Sequence, residues 1–257
     1  MVRIIMHGCN GRMGRMIADL LKEDAQARIV AGVDAAKGED HAFPVFTDLM
    51  DCTVEGDVVI DFSSAAVTSH LLQVCVKKQL PLVLCTTGLS QEQLEEVKEA
   101  SCQVAILKSA NMSLGINLLS RLLEEITPLL AEAGFDIEIV EKHHNQKLDA
   151  PSGTALALAD AANKAAGDSY TYVYDRSQQR KKRDSREIGI SAVRGGTIVG
   201  DHEVIFAGAD EVITLQHTAY SRAVFGKGAI EAAKFLAGKP AGLYDMSHVI
   251  RSNSQGK

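Results

Sequence analysis

The chain has 257 residues, 46% of them hydrophobic and 23% charged, which is the balance of a soluble globular protein with room for two modest domains. Its formal charge of −6 argues against general nucleic-acid binding, and no apolar run approaches the roughly 18 residues of a membrane span. The start, MVRIIMHGCNG, reads as a strand and glycine turn rather than an export signal, so the five cysteines (9, 52, 75, 85 and 102, without a C-x-x-C pair) are expected as reduced thiols in the cytoplasm.

VRIIM predicts a first strand. HGCNGRMGRMIADLLKE then turns through glycines 8, 11 and 14 into a helix beginning near Arg12, with Met13, Ile17, Leu20 and Leu21 as its apolar stripe. Such a turn leaves backbone N–H groups at a helix start, where a pyrophosphate sits well. The spacing is G-x-x-G-x-x-G rather than the commoner G-x-G-x-x-G, and a tight turn of this kind also occurs without a ligand. Context decides. The second strand, RIVAGVD, ends at Asp34, where an acid can bond the adenosine ribose hydroxyls and repel a 2′-phosphate, a repulsion that Lys37 partly offsets.

DVVIDFS predicts a third strand, AAVTSHLLQVCVKK a helix, and LPLVLCTTG a fourth strand with its turn. SQEQLEEVKEAS predicts a helix capped by Ser90, and CQVAILKSANMS a fifth strand. Short apolar strands alternating with helices imply a parallel sheet covered on both faces, with ligands at the carboxyl ends of its strands. Thr86, Thr87 and Gly88 fall there, as do Ser109, Ala110, Asn111 and Met112.

From residue 113 the period changes. SLGINLLSRLLEEITPLLAEAG predicts a long helix interrupted near Pro128. FDIEIVEKHH, EIGISAVRGG, HEVIFAG and DEVITLQHTAY predict strands of a mixed or antiparallel sheet with one covered and one open face. The open face predicts a symmetric oligomer. RSQQRKKRDSR at 176–186 lacks interleaved aromatic residues and reads as a solvated loop, with a mobile cover for an anionic ligand as the alternative. The helical tail RAVFGKGAIEAAKFLAG is expected to return onto the first half.

EKHHNQKLDAPSGT, at 141–154, concentrates the chemistry. His143 and His144 end a strand, NQKLDA is a loop, and PSGTALALADAANKAA is a helix entered at Pro151 and capped by Ser152 or Thr154. The N–H groups of Gly153 and Thr154, with Lys147 and His144 beside them, suit a small carboxylate. An isolated histidine more often satisfies backbone groups; here imidazole, cation and helix start converge behind a dinucleotide domain. Adjacent histidines on a strand point to opposite faces, and no H-E-x-x-H occurs, so no metal is expected.

In order along essentially the whole chain, GCNGRMG, TTG, SANMSLGIN, EKHHNQKLDAPSGTA, VRGGTIVGDHEVIF and GLYDM resemble the dihydrodipicolinate (4-hydroxy-tetrahydrodipicolinate) reductases of the bacterial lysine and diaminopimelate pathway. The HHxxKxDAPSGTA block is highly specific; the glycine turn is not. The resemblance implies an α/β chain. Residues 1–112 and 223–257 would form a Rossmann-like, doubly wound parallel-sheet domain for the dinucleotide. Residues 113–222 would form an α+β substrate and oligomerisation domain with an open mixed sheet, assembled as a homotetramer.

The implied reaction is hydride transfer from NAD(P)H to a small cyclic imine dicarboxylate, followed by protonation. By motif position the resemblance implies His143 as proton donor/acceptor and Lys147 as proton donor. It implies substrate contacts at His144, Ser152, Gly153 and Thr154. Its cofactor positions are Gly8, Cys9, Asn10, Gly11, Arg12, Met13, Asp34, Thr86, Thr87, Gly88, Ala110, Asn111, Met112 and Ser113. Members that use NADPH readily often carry an arginine just after the acid, but Ala35 and Ala36 follow Asp34 here, so NADH is expected to be preferred and NADPH tolerated. Cys85 stands where many relatives have glycine, and Met112 where an aromatic is common. An aspartate-type or sugar dehydrogenase would share the glycine turn without needing the histidine pair, Lys147 and Pro-Ser-Gly-Thr together. A nucleotide-sensing protein without catalysis would not need both proton carriers.

Overall fold

The computed structural model describes residues 1–36, 41–178 and 180–255, the last three of these by backbone alone. In chain order the elements are β1 (Val2–His7), α1 (Arg12–Leu21), β2 (Ala27–Val33), β3 (Val45–Phe46), β4 (Val58–Asp61), α2 (Ala65–Lys78), β5 (Leu82–Leu84), α3 (Gln91–Ser101) and β6 (Ala105–Lys108). There follow α4 (Leu114–Glu132), β7 (Asp136–His143), α5 (Gly153–Ala165), β8 (Thr171–Val173), β9 (Glu187–Arg194), β10 (Gly200–Ala207), β11 (Val212–Ala219), α6 (Ala223–Leu236), β12 (Gly242–Tyr244) and α7 (Met246–Gln255). They group into two compact units, Met1–Leu114 with Ala223–Lys257, and Gly115–Arg222.

In the first unit seven parallel strands run in the order β12-β6-β5-β4-β1-β2-β3, a Rossmann-like arrangement whose direction reverses at β1. Each apolar run feeds both faces, because successive side chains alternate. Ile4, Met6, Ile60, Val83 and Leu107 pack with Ile17 of α1 and Ala229 and Ala233 of α6. Ile5, Val59, Leu82, Leu84 and Ile106 pack with Leu71, Val74 and Cys75 of α2 and Val97 of α3. Ser90 caps α3 through a reciprocal pair with Gln93.

The second unit holds a mixed sheet, β11-β10-β7-β9-β8, antiparallel on one side of β7 and parallel on the other. Ile137, Ile139, Ile188, Val204 and Phe206 face Leu119 and Leu123 of α4 and Ala155 and Leu158 of α5. α4 runs unbroken through Pro128, against the expected interruption. Pro128 deprives the Glu124 carbonyl of its usual helical donor, but both residues lie on the exposed side, where water can reach it, and the buried Ile116, Leu119 and Leu123 hold the helix down.

The basic segment is not simply solvated. Arg176 bonds Glu138 at 2.7 and 3.0 Å, and Arg183 bonds Asp136 at 2.6 Å and Glu138 at 3.0 Å. Acids on the face of β7 opposite the helices draw the arginines across it, and Gly189 makes room, since a Cβ there would fall 2.7 Å from Arg176 Nη1. Among the described residues, no helix is long and apolar enough to cross a membrane.

Candidate active site

In the first unit, the residues expected to hold a dinucleotide gather at the carboxyl edge of the parallel sheet. Gly8 leaves β1 at φ +81°, and a Cβ on it would lie 2.7 Å from the Phe62 carbonyl oxygen. Gly11 is the N-cap of α1 and offers no side-chain cap, and no acid lies in the first helical turn, so the helix start keeps its affinity for an anion. The Asp34 carboxylate accepts the Asn10 N–H at 3.0 Å, and the Asn10 amide donates to the Ala36 carbonyl at 2.7 Å. The acid at the end of β2 therefore braces the glycine turn as well. Cys9 is turned under it, and burial pushes its thiol up to about 11, Asp34 adding to the effect. Lys37 lies outside the described residues.

Thr86 is buried and donates to Asp61 at 2.6 Å, while Thr87 and Gly88 are exposed beyond it. Ala110 is exposed and Asn111 half-buried; Met112 and Ser113 are buried, with the Ser113 N–H on the Asn111 side chain at 2.8 Å. Asp61 is fully buried and was not anticipated. It also accepts from Ser63 Oγ at 2.6 Å and meets His7 Nδ1 at 2.6 Å, so one carboxylate ties together the ends of β1, β4 and β5. The available signal was an acid closing the otherwise apolar run VVID.

In the second unit, β7 sends Glu141 and His143 to its covered side, while Lys142 points the other way and pairs with Glu203 at 2.5 Å. His143 Nδ1 meets Glu141 Oε2 at 2.6 Å, and Glu141 Oε1 accepts the Ser152 N–H at 2.9 Å. Arg194, at the end of β9, clamps both carboxylate oxygens at 2.7 Å and donates to the Asp149 carbonyl at 2.6 Å. Burial drives the Glu141 pKa upward, but Arg194, His143 and the Ser152 N–H together hold it below the usual range. For His143, burial lowers the pKa, Glu141 works against it, and Lys147 and Arg194 lower it further. His202, from β10, stands edge-on to His143 at 5.1 Å and meets Ser152 Oγ at 3.1 Å; burial lowers its pKa to about 4. A Cβ on Gly200 would sit 3.1 Å from His143 Nε2, so glycine keeps that nitrogen uncrowded.

Ser152 caps α5, its Oγ accepting the Ala155 N–H at 3.2 Å. Lys147 Nζ lies 2.8 Å from Asp149 Oδ1. Burial raises the Asp149 pKa, but Lys147 and then the Gly153 N–H hold it below the usual range. A carboxylate of the chain itself thus engages Lys147, the cation expected to meet an anion. His143, Lys147, Ser152 and Gly153 come together in this way, with Thr154 next along α5. His144 does not join the Glu141 network; it leaves β7 half-exposed, and its carbonyl accepts the Lys147 N–H at 3.1 Å. Glu141, Asp149, Arg194, Gly200 and His202 were missed. Of these, Glu141 had a signal, since period two places it on the face of His143.

Family models described as dihydrodipicolinate reductase, N-terminus and C-terminus, match residues 2–112 and 115–250. The 4-hydroxy-tetrahydrodipicolinate reductase of Caldanaerobacter subterraneus subsp. tengcongensis is 53% identical over 251 residues, covering 98% of this chain and 99% of that relative. That of Clostridium tetani is 51% identical over 252 residues, covering 98% of each. Among solved structures, dipicolinate-bound dihydrodipicolinate reductase from Paenisporosarcina sp. TG-14 is similar at a TM-score of 0.79 and 23% identity, over 95% of this chain and 97% of that one. A putative myo-inositol dehydrogenase from Sinorhizobium meliloti 1021, at 0.59 and 12% identity over 100% and 90%, is similar in fold alone.

Proposed function

The chain belongs to the dihydrodipicolinate reductase family, and from that premise we propose how its residues divide the work. It is a reductase of 4-hydroxy-tetrahydrodipicolinate, in lysine and diaminopimelate biosynthesis, that draws on NAD(P)H. Residues 1–112 and 223–257 act as the dinucleotide domain, and 113–222 as the substrate and oligomer domain. The turn Gly8 to Met13 holds the pyrophosphate, Asp34 the adenosine ribose, and Thr86 to Gly88 with Ala110 to Ser113 the remaining cofactor contacts. This assignment is supported by the uncapped start of α1 and by glycines whose place a Cβ would fill. When bound, the nicotinamide supplies the hydride.

Lys147 and the first N–H groups of α5 orient a substrate carboxylate, with Ser152, Gly153, Thr154 and His144 around it. Hydride addition to the conjugated imine leaves negative charge on the substrate. Quenching it takes an acid, and His143 Nε2 and the Lys147 ammonium are the groups that hold and move that proton. The observation that carries this reading is the Lys147–Asp149 ion pair in the loop leading to α5, where the ammonium already engages a carboxylate of the chain. The test is consumption of NADH with freshly generated substrate; an enzyme that leaves the nicotinamide absorbance unchanged would reject the assignment.

NADH is the preferred cofactor and NADPH is tolerated. One Asp34 oxygen is committed to Asn10, which fixes the carboxylate proposed to take the adenosine ribose, and Ala35 and Ala36 offer no cation to a 2′-phosphate. The expected kcat/KM ratio favours NADH about tenfold, equivalent to about 1.4 kcal/mol, and Asp34→Ala should narrow it. Steady-state kinetics with both cofactors decide, and a wild type that prefers NADPH overturns the role given to Asp34. The enzyme works in the cytoplasm as a homotetramer, an assembly supported by Val193 and Val212, which are exposed on the second sheet.

A further inference from the structure

Glu141 stands between the two functional groups of the second unit and is assigned no part in the chemistry above. It is fully buried, yet each of its oxygens is used twice. Oε2 meets His143 Nδ1 at 2.6 Å and Arg194 Nη1 at 2.7 Å; Oε1 takes the Ser152 N–H at 2.9 Å and Arg194 Nη2 at 2.7 Å. A carboxylate facing four donors can only accept, so the imidazole must present a proton at Nδ1. In a neutral ring that leaves Nε2 bare, on the side that Gly200 keeps open. The other oxygen fixes the residue that caps α5, the helix whose start receives the anion.

Burying an ion pair brings little net stability, because desolvation offsets the Coulombic gain, so an apolar pair of the same volume would hold the fold as well. What an apolar pair could not do is choose a tautomer. We propose that Glu141 is the positioning residue of this site, holding His143 in the Nδ1–H form and tying it to the N-cap of α5, so that proton carrier and anion-binding helix start keep one fixed relation. His202 completes the arrangement. Its edge-on contact with His143 and its bond to Ser152 make a second link between histidine and helix.

The inference rests on the reading of His143 as a proton carrier, and the experiment separates the two. In the full-length enzyme labelled with 15N-histidine, the wild-type spectrum should show His143 as the Nδ1–H tautomer. Glu141→Gln should move it toward Nε2–H and lower kcat about 10- to 100-fold, raise the substrate KM, and leave NADH affinity within about twofold. A wild-type spectrum with His143 as Nε2–H overturns the proposal without any variant, which also covers a Glu141→Gln that does not fold. A Glu141→Gln enzyme that loses thermal stability while keeping the wild-type tautomer overturns it as well, since Glu141 would then serve the fold alone. His143→Gln is the control. If it turns over like wild type, the proton-carrier reading falls, while the spectrum still decides whether Glu141 sets the ring.

Discussion

His143→Gln is expected to cut kcat by about 10²- to 10⁴-fold, the range that positioned proton transfer contributes, with NADH affinity changed by no more than about twofold. Glutamine keeps the length and polarity of the side chain and can still meet Glu141, so the buried carboxylate is not orphaned. It cannot accept and release a proton at the place of Nε2. The loss should therefore appear in kcat and in kcat/KM together, the signature of an interaction made in the transition state. The lowered pKa of His143 sharpens the point. Near neutral pH the ring is mostly uncharged, and once protonated it is a stronger acid than free imidazole, hence a more willing donor. Since the protonated fraction falls as pH rises, the wild-type rate should decline through a midpoint below the ordinary histidine value of about 6.5, and the variant should lack that step. Stopped-flow and steady-state measurements across pH would check both; wild-type turnover in His143→Gln would remove the imidazole from the mechanism.

The contrast between His143 and Arg194 shows what a single sequence can display. His143, Lys147 and Ser152 to Thr154 fall within one short block, so their joint chemistry is legible as a local pattern. Arg194 reaches Glu141 across a separation of 53 positions, because β9 lies parallel to β7 with Arg194 in register with His143. Hydrophobic alternation predicts that both strands exist but not that they are neighbours. Asp149 was visible in the motif, yet its ion pair depends on how the loop folds back. In the fold, the alternation of short apolar strands with helices made the parallel sheet legible, whereas β3 and β12, of two and three residues and none of them buried, are too short to carry a period. The acids that draw in Arg176 and Arg183 looked like ordinary solvent-facing positions of β7, so the basic loop read as free.

Replacing Gly14 by alanine should weaken NADH binding about 100-fold or more and lower Tm. Gly14 lies in the first turn of α1, and a Cβ there would overlap the Gly8 carbonyl oxygen and stand 2.6 Å from both Cα and the carbonyl oxygen of Cys9. No flexible side-chain end is involved; all three are backbone atoms. Nor can Gly8 retreat, for its N–H is held by the Val33 carbonyl at 2.8 Å and even a Cβ on it would fall 2.7 Å from the Phe62 carbonyl oxygen. The strain must then pass to α1, which can yield only by tilting from β1 and loosening Ile17 and Leu21 in the core. Overpacking of this kind costs about 1–3 kcal/mol, or roughly 2–12 °C in a chain of this size. The larger effect falls on binding, because a tilt of α1 turns its first N–H groups away from the pyrophosphate they are proposed to hold. Gly88 supplies the comparison. It sits at φ +74°, but a Cβ there meets nothing within 4 Å, so alanine brings only the left-handed backbone penalty of about 1–2 kcal/mol. Titration calorimetry with NADH and scanning calorimetry on both variants would separate crowding from backbone strain. If Gly14→Ala bound NADH like the wild type, the turn at the head of α1 would not be the pyrophosphate cradle.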